Sequence, residues 1–216
     1  MKKKRSDAIR TRLNLLDAAG EVFGQKGFWN ATVEDICKKA NANVAAINYH
    51  FGNKENLYVE AWKYSFEKSM IRHPPDGGVG PDEPIEKRLE GRILSILGRI
   101  IDPETHDIDL IHKEFSNPTG LLIEVAEKKM TPVVEEFKSL LREYLGKDVE
   151  EELLDFCHRS VMSQAFAPMM HLRPHNHNPL APKPNLLPLN LGVEKLANYI
   201  TKFILTGLKS FRNISE

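Results

Sequence analysis

Apolar residues recur at intervals of three and four along most of the chain, which predicts a succession of amphipathic helices. The first helix is expected from Ile9 to Phe23, with one apolar stripe formed by Ile9, Leu13, Leu16, Ala19 and Phe23. Gly24 and Gly27 follow it, where a left-handed C-cap is favoured.

The same spacing predicts eight further helices, which cover about residues 32–40, 44–50, 54–72, 84–101, 105–115, 119–145, 149–166 and 192–211. Pro132 lies inside one of them and predicts a kink or a break. Residues 174–190 contain prolines at 174, 179, 182, 184 and 188 and are expected to form a long exposed loop. No strand pattern and no repeat is present in the sequence, so the expected fold class is all-α.

The segment from residue 32 to residue 54 has the pattern of two short helices joined by a tight polar turn. Thr32 is expected to cap the first helix, with Asp35 as the partner in a short capping box. Asn41 tolerates the left-handed backbone that such a turn needs, and Asn43 can cap the second helix. This is the layout of a helix-turn-helix that reads DNA.

The second helix of this segment has the side chains that a recognition helix requires. Val44, Ala45 and Ala46 are small enough for close approach to base edges, and their methyl groups can contact thymine methyls. They cannot make bidentate hydrogen bonds, so base discrimination is expected to depend on apolar contacts, neighbouring asparagines and DNA shape. The predicted DNA-contacting residues are Thr32, Asn43, Val44, Ala45, Ala46, Asn48, Tyr49, His50 and Lys54. A plain three-helix bundle is the alternative.

Composition adds a modest charge asymmetry to this picture. The chain has 216 residues, 41% hydrophobic and 28% charged, with a formal net charge of zero. The first 60 residues contain 10 Lys and Arg against 7 Asp and Glu. Much of the excess comes from residues 2–5, in a basic arm over residues 1–7 that can follow a phosphate backbone. A solubilising tail is the alternative.

Several other classes of protein are disfavoured by the sequence. No signal peptide or membrane span is apparent, so a cytoplasmic protein without a membrane partner is expected. Cys37 and Cys157 fit buried thiols, with a disulfide or redox switch as the alternative. No nucleotide-binding, hydrolase or metalloprotease motif is present, which predicts no enzyme and no cofactor. The histidines at 171, 175 and 177 are separated by Pro174 and predict no metal site.

The back half offers more apolar surface than a small helical domain needs. The helices near residues 149–166 and 192–211 have wide apolar faces, and Gly207 permits close approach of a partner helix. A four-helix interface between two copies is the favoured use, with packing inside one monomer as the alternative.

The inner helices combine large apolar side chains with scattered polar ones, as a ligand cavity does. The candidate effector-binding residues are His112, Glu114, Met130, His158, Met162, Phe166 and Met169. An ordinary core is the alternative interpretation for the apolar members, and satisfied or exposed side chains for the polar ones.

Residues 8–60 resemble the N-terminal domain of the tetracycline-repressor (TetR) family through the run from Thr32-Val-Glu-Asp-Ile to the signature Tyr49-His-Phe-x-x-Lys-x-x-Leu57. Asn41 replaces the usual turn glycine, and Asn48 stands where many members have an aromatic residue. The back half is similar to the CecR-like subgroup through Glu114-Phe-Ser-Asn-Pro118 and the long helix with Pro132. The resemblance implies a helical homodimer whose recognition helices enter successive major grooves of a palindromic operator.

Together these observations predict a bacterial, ligand-responsive transcriptional repressor that a small, largely apolar effector releases from DNA. Residues 1–55 are expected to form the three-helix DNA-binding domain, and residues 56–216 a larger helical domain for ligand binding and dimerisation. A ligand-independent architectural DNA-binding protein with a filled C-terminal core is one alternative. A small helical enzyme that uses the histidine-rich segment is another.

Overall fold

The computed structural model describes residues 2–169 and 191–212, with side chains from Ser6 onward. These ranges hold nine α-helices and no strand, which confirms the predicted fold class. The proline-rich segment 174–190 and the histidines at 171, 175 and 177 lie outside them. The helices are α1 (Lys2–Asn30), α2 (Val33–Ala40), α3 (Val44–Phe51), α4 (Lys54–Arg72), α5 (Ile85–Ile101), α6 (Asp107–Ser116), α7 (Ile123–Leu145), α8 (Glu151–Phe166) and α9 (Val193–Lys209).

The chain forms two compact units. The first contains Met1–Arg72 with Pro103–Glu127, and the second contains His73–Asp102 with Lys128–Glu216. Helices α4 and α6 therefore belong to the same unit as α1 to α3. A functional division at residue 55 stays a prediction, since these units are defined by packing and not by function.

Helix α1 differs most from its prediction. It begins at Lys2, so the predicted basic arm continues the helix backbone, and its turn near Asp7 contains an ion pair with Arg10 at 3.1 Å. Ile9 and Leu13, assigned to the apolar stripe, are exposed. Periodicity identified residues on a shared face, but the start of this helix extends beyond the helices that cover its later turns.

The two glycines of α1 have different roles. Gly27 has φ +75° and interrupts the helix in the left-handed region, as a C-cap glycine does. Gly24 is not a cap, because α1 passes through it and α6 packs against it. A Cβ at Gly24 would lie 3.0 Å from the Cβ of Asp109, and one at Gly20 would lie 3.2 Å from Cδ2 of His106. Because Gly20 and Gly24 have no side chain, α6 can approach α1 closely at these two positions.

The first unit has an aromatic core. The Tyr58 ring meets the edge of the Phe23 ring with centroids 4.9 Å apart, and the Phe28 ring lies 5.2 Å from the Tyr58 ring. Trp62 is stacked on Phe66 one turn further along α4. The contacts of Tyr58 with Phe23 and Phe28 connect α1 and α4, the two helices that support the helix-turn-helix.

Tyr58 also connects α4 to the end of α6. Its hydroxyl donates to the carboxylate of Glu114 at 3.0 Å, and the Glu114 carboxylate also accepts from the Thr119 hydroxyl and from the amides of Thr119 and Gly120. Glu114 is buried. Burial and the adjacent Glu114 charge raise the pKa of the Tyr58 phenol, so the proton stays in this hydrogen bond.

The core of the second unit lies among α5, α7, α8 and α9. Helix α5 buries one apolar stripe, and α9 packs along this helix. The stripe consists of Leu89, Ile93, Ile96, Leu97 and Ile100. Of the kink or break predicted at Pro132, the break is wrong, because α7 continues through this residue. The lost backbone hydrogen bond is tolerated because Ala126 is buried in the first unit and Phe137, Leu140 and Leu141 are buried in the second.

Replacing Glu114 tests its structural role. Glu114→Ala leaves the buried Tyr58 hydroxyl, the Thr119 hydroxyl and two amides without this acceptor, so the free energy of unfolding is expected to fall by about 2–3 kcal/mol in urea denaturation. Glu114→Gln retains one acceptor and should lose less. The matched control Glu135→Ala removes an exposed glutamate of α7 and should change stability by less than about 0.5 kcal/mol. Equal losses in Glu114→Ala and the control would contradict this role.

The capping box of α2 gives stability a defined pH dependence. Lys26, followed by Thr32, lowers the pKa of the Asp35 carboxyl to about 2 from an ordinary value of 3.8. The ionised form is favoured in the folded state, so its contribution is complete above 3.8 and disappears as the pH falls towards 2. Asp35→Asn should therefore be less stable than wild type at neutral pH. The difference, measured by thermal unfolding, should vanish over that acidic window; a constant difference would contradict the assignment.

Candidate nucleic-acid interface

The turn between α2 and α3 has the geometry that its two asparagines predict. Asn41 adopts the left-handed conformation at φ 49° and ψ 48°, and among the described non-glycine residues it alone has positive φ. The side chain of Asn43 accepts a hydrogen bond from the amide of Ala46 at 2.9 Å. Both predicted roles are confirmed, and the direction of α3 follows from them.

Helix α3 divides its eight residues between two faces. Ile47 and Phe51, one turn apart, are buried in the core of the unit. Val44, Ala45, Asn48 and Tyr49 are exposed on the rest of the surface, and Tyr49 is 80% accessible. The exposed face thus combines methyl groups with an amide and a phenol, and no acidic residue lies on the helix.

Several contacts constrain the C-terminal end of α3 and the residues that follow it. The Tyr49 and His50 rings meet edge to face with centroids 4.9 Å apart. Gly52 ends α3 at φ +81°, and Asn53 caps α4 by accepting from the Asn56 amide at 2.8 Å. The Lys54 ammonium lies 4.4 Å from the centroid of the Phe28 ring, which holds this charge at the start of α4.

Thr32 has fewer groups available for phosphate than its position suggested. Its hydroxyl oxygen accepts from the Asp35 amide at 3.1 Å, and its own amide donates to the Asp35 carboxylate at 3.2 Å. Lys26 neutralises this carboxylate at 2.7 Å. The side-chain hydrogen bond of Thr32 also helps to lower the pKa of Asp35, so this hydroxyl is engaged in the capping box.

The seven candidate effector residues divide between the two units. His112 is exposed and Glu114 is buried in the first unit. The second unit contains partly buried Met130, His158, Met162, Phe166 and Met169. Their role in effector binding remains a prediction.

His158 is the most constrained polar residue of that set. Its ring meets the Phe137 ring edge to face at 5.5 Å, and the Arg92 guanidinium lies 5.7 Å from the centroid of the Phe137 ring. Burial, together with the Lys138 charge, lowers the pKa of His158, so its imidazole is held neutral at physiological pH. A neutral imidazole can both donate and accept a hydrogen bond.

An apolar groove of about 130 Å³ lies on the second unit between α8 and α9. Phe156, Phe203 and Phe211 contribute aromatic rings to it, and Gly207 adds an open position, because a Cβ placed there would meet nothing within 4 Å. Phe203 is 69% exposed. The sequence analysis predicted wide apolar faces for these two helices but did not single out Phe156, which lies off the buried stripe of α8.

Other chemistry has little support in the described part of the chain. Within residues 2–169 and 191–212, no three His, Cys, Asp or Glu side chains are grouped so that they could hold a metal ion. None of the helices in these ranges combines the length and the apolar character that crossing a membrane requires. Both cysteines are buried as free thiols.

Comparison with known sequences identifies both parts of the chain. Residues 15–61 match the family of bacterial regulatory proteins of the tetR type. Residues 85–208 match the C-terminal domain of the HTH-type transcriptional dual regulator CecR. CecR of Shigella flexneri is 28% identical over 152 residues, which cover 66% of this chain and 68% of that protein. The regulator SrpR of Pseudomonas putida is 30% identical over 104 residues, 48% of this chain, and the chain spans only 46% of its length.

Solved structures support the fold independently. A TetR-like transcriptional regulator from Rhodococcus sp. RHA1 aligns with a TM-score of 0.67 and 14% identity over 92% of this chain and 96% of that one.

The match to the CecR C-terminal domain covers more than half of the 216 residues. The relatives SrpR and CecR are both named as HTH-type transcriptional regulators. The chain therefore belongs to the TetR family of DNA-binding transcriptional regulators and has a C-terminal domain of the CecR type.

Proposed function

We propose that this chain is a ligand-responsive bacterial repressor that binds palindromic operator DNA as a homodimer in the cytoplasm. A small, largely apolar effector in the C-terminal domain releases it. The observation that carries the proposal is the division of α3 into a buried face and an exposed face of small and polar side chains.

In this proposal α3 lies in the major groove with Val44, Ala45 and Ala46 against the base edges. Their methyl groups contact thymine methyls, and Asn48 supplies an amide to a base edge. Tyr49 and His50 donate to phosphate oxygens, and Lys54 adds charge at the N-terminus of α4. Because α3 contains no Arg or Lys, much of the discrimination is expected from apolar contact and DNA shape.

The second copy binds through the apolar groove between α8 and α9. A monomer that exposed Phe156 and Phe203 would leave two aromatic side chains in water, and pairing with the same groove of a second copy buries them. The open position at Gly207 permits close approach of the partner's helix. Two-fold symmetry then presents two α3 helices to half-sites about one helical turn apart.

Release from DNA follows because the effector binds two conformations of the dimer with different affinities. An effector that binds better to a shape with the wrong separation between the α3 helices shifts the population away from DNA. We place the effector among Met130, His158, Met162, Phe166 and Met169, which combine flexible thioethers with a neutral imidazole. His112 and Glu114, which the sequence analysis grouped with them, lie in the first unit. Effector-insensitive DNA binding would instead favour a ligand-independent architectural protein.

Two substitutions in α3 test DNA recognition, with duplexes that the wild-type protein selects from a random-sequence pool as probes. Ala45→Glu places a carboxylate against the groove and should weaken binding by more than about 100-fold. Tyr49→Ala removes a phosphate donor and should weaken binding about tenfold and similarly for all sequences. Fluorescence anisotropy provides the affinities.

The matched control is Ser139→Glu, which adds the same charge at a position of α7 outside the proposed DNA surface. This variant should bind as the wild type does. Wild-type affinity in both α3 variants would exclude α3 as the recognition helix. Selected duplexes without two-fold symmetry would exclude the palindromic operator.

A charge in the α8–α9 groove tests the dimer. Phe203→Asp would bury a carboxylate in the apolar interface and should convert the protein to a monomer in sedimentation equilibrium at micromolar concentration. Phe115→Asp is the matched control, because Phe115 is 76% exposed on α6 of the first unit. The control should remain dimeric. A dimeric Phe203→Asp variant, or a monomeric wild type, would contradict this interface.

A further inference from the structure

Trp29 is an exposed aromatic residue that is not among the predicted DNA contacts. It lies next to the C-terminal end of α1 and three residues before Thr32, the N-cap of α2. Its accessibility is 60%, whereas Trp62, the other tryptophan of the chain, is 1% accessible. The chain therefore has one indole in the core of the first unit and one on the surface of the same unit.

The Phe28 ring links Trp29 to a predicted DNA contact. Phe28 is buried, and the Trp29 ring meets it edge to face with centroids 5.3 Å apart. The Lys54 ammonium lies 4.4 Å from the centroid of this same ring. One buried side chain thus contacts both an indole and the ammonium group at the start of α4, the helix that follows α3.

The chemistry of the indole suits a phosphate backbone. Its N–H is a donor without an accompanying acceptor, as in Lys and Arg, so it does not repel the acceptor-only oxygens of a phosphate. Glu34 and Asp35 occupy the first turn of α2, and Lys26 is already paired with Asp35. A neutral donor at Trp29 can contact phosphate here without an ammonium group that these acids would also attract.

We propose that Trp29 binds the sugar–phosphate backbone of duplex DNA on the flank of the half-site that α3 reads. Its indole N–H donates to a phosphate oxygen, and its ring packs against the adjoining deoxyribose. The contact is independent of base sequence and extends the recognition surface from α3 across Lys54 to the end of α1. This inference rests on the proposed DNA-binding function.

Intrinsic fluorescence tests the contact directly, because only one of the two tryptophans is exposed. The probe is a random-sequence duplex at low ionic strength, where backbone contacts dominate binding. Addition of this duplex should change the tryptophan emission of the wild type. The change should be absent in Trp29→Phe, whose remaining indole is the buried Trp62. An unchanged emission on wild-type binding, or a change that persists in Trp29→Phe, would overturn the proposal.

The affinity for DNA and its salt dependence distinguish a direct contact of Trp29 with phosphate from an indirect effect of the substitution on Lys54. Trp29→Ala should bind the same duplex about fivefold more weakly, the size of one hydrogen bond, and Trp29→Phe should lie between it and the wild type. The slope of log affinity against log salt should not change, because no charge is removed. If the slope became shallower by about 0.9, the amount expected for the loss of one charged phosphate contact, the substitution would act through Lys54. That result would overturn the direct contact of Trp29.

Two controls distinguish this inference from its premise. Phe115→Ala, which removes another exposed ring of the first unit, should retain wild-type affinity and emission change. If Ala45→Glu loses binding while Trp29→Ala binds as wild type, α3 remains the recognition helix and the Trp29 contact is wrong. If the wild type binds no duplex, the proposed function fails as well. Dissociation of the dimer in Trp29→Ala would assign the indole to a protein contact instead.

Discussion

The burial of Ile47 and Phe51 is the constraint on which the recognition surface depends. These two residues lie one turn apart on a helix of only eight residues, so their burial determines which side of α3 faces solvent. Asn41 and Asn43 bring the helix into this position through a left-handed turn and an N-cap. Loss of either apolar anchor would therefore alter the presentation of every proposed base contact at once.

Helix α6 has a special place in the connectivity of the chain. The segment Pro103–Glu127, which contains it, packs in the first unit, while the chain before and after this segment belongs to the second. Close approach at Gly20 and Gly24 and the hydrogen bonds of Glu114 attach this segment to α1 and α4. This segment therefore packs in the first unit and is joined covalently to the second unit at both of its ends.

The ion pairs of the first unit indicate which kinds of side chain contribute to its proposed affinity for DNA. Several of its cations are already engaged: Lys26 with Asp35, Lys39 with Glu21 and Lys68 with Asp17. Neutral donors such as Tyr49 then account for a larger share of the proposed backbone contacts. A protein of this kind is expected to show a shallower salt dependence than one that contacts phosphate mainly through Lys and Arg.

Local chemistry made the helix-turn-helix predictable. The caps at Thr32 and Asn43 and the turn at Asn41 depend on interactions within a few residues, and each was found as expected. The helices were predicted for the same reason, since periodicity is a property of consecutive residues. The family resemblance rested on this same local signature.

The remaining features depend on which surfaces meet, and consecutive residues do not contain that information. Only the tertiary structure decided that Ile9 and Leu13 stay exposed, that Gly24 receives α6, and that burial on either side of Pro132 keeps α7 continuous. It also placed Glu114 in a buried network with Tyr58, a residue 56 positions away. The sequence by itself determined the elements and the reading helix. The tertiary structure decided which faces are covered, because burial is a property of pairs of elements.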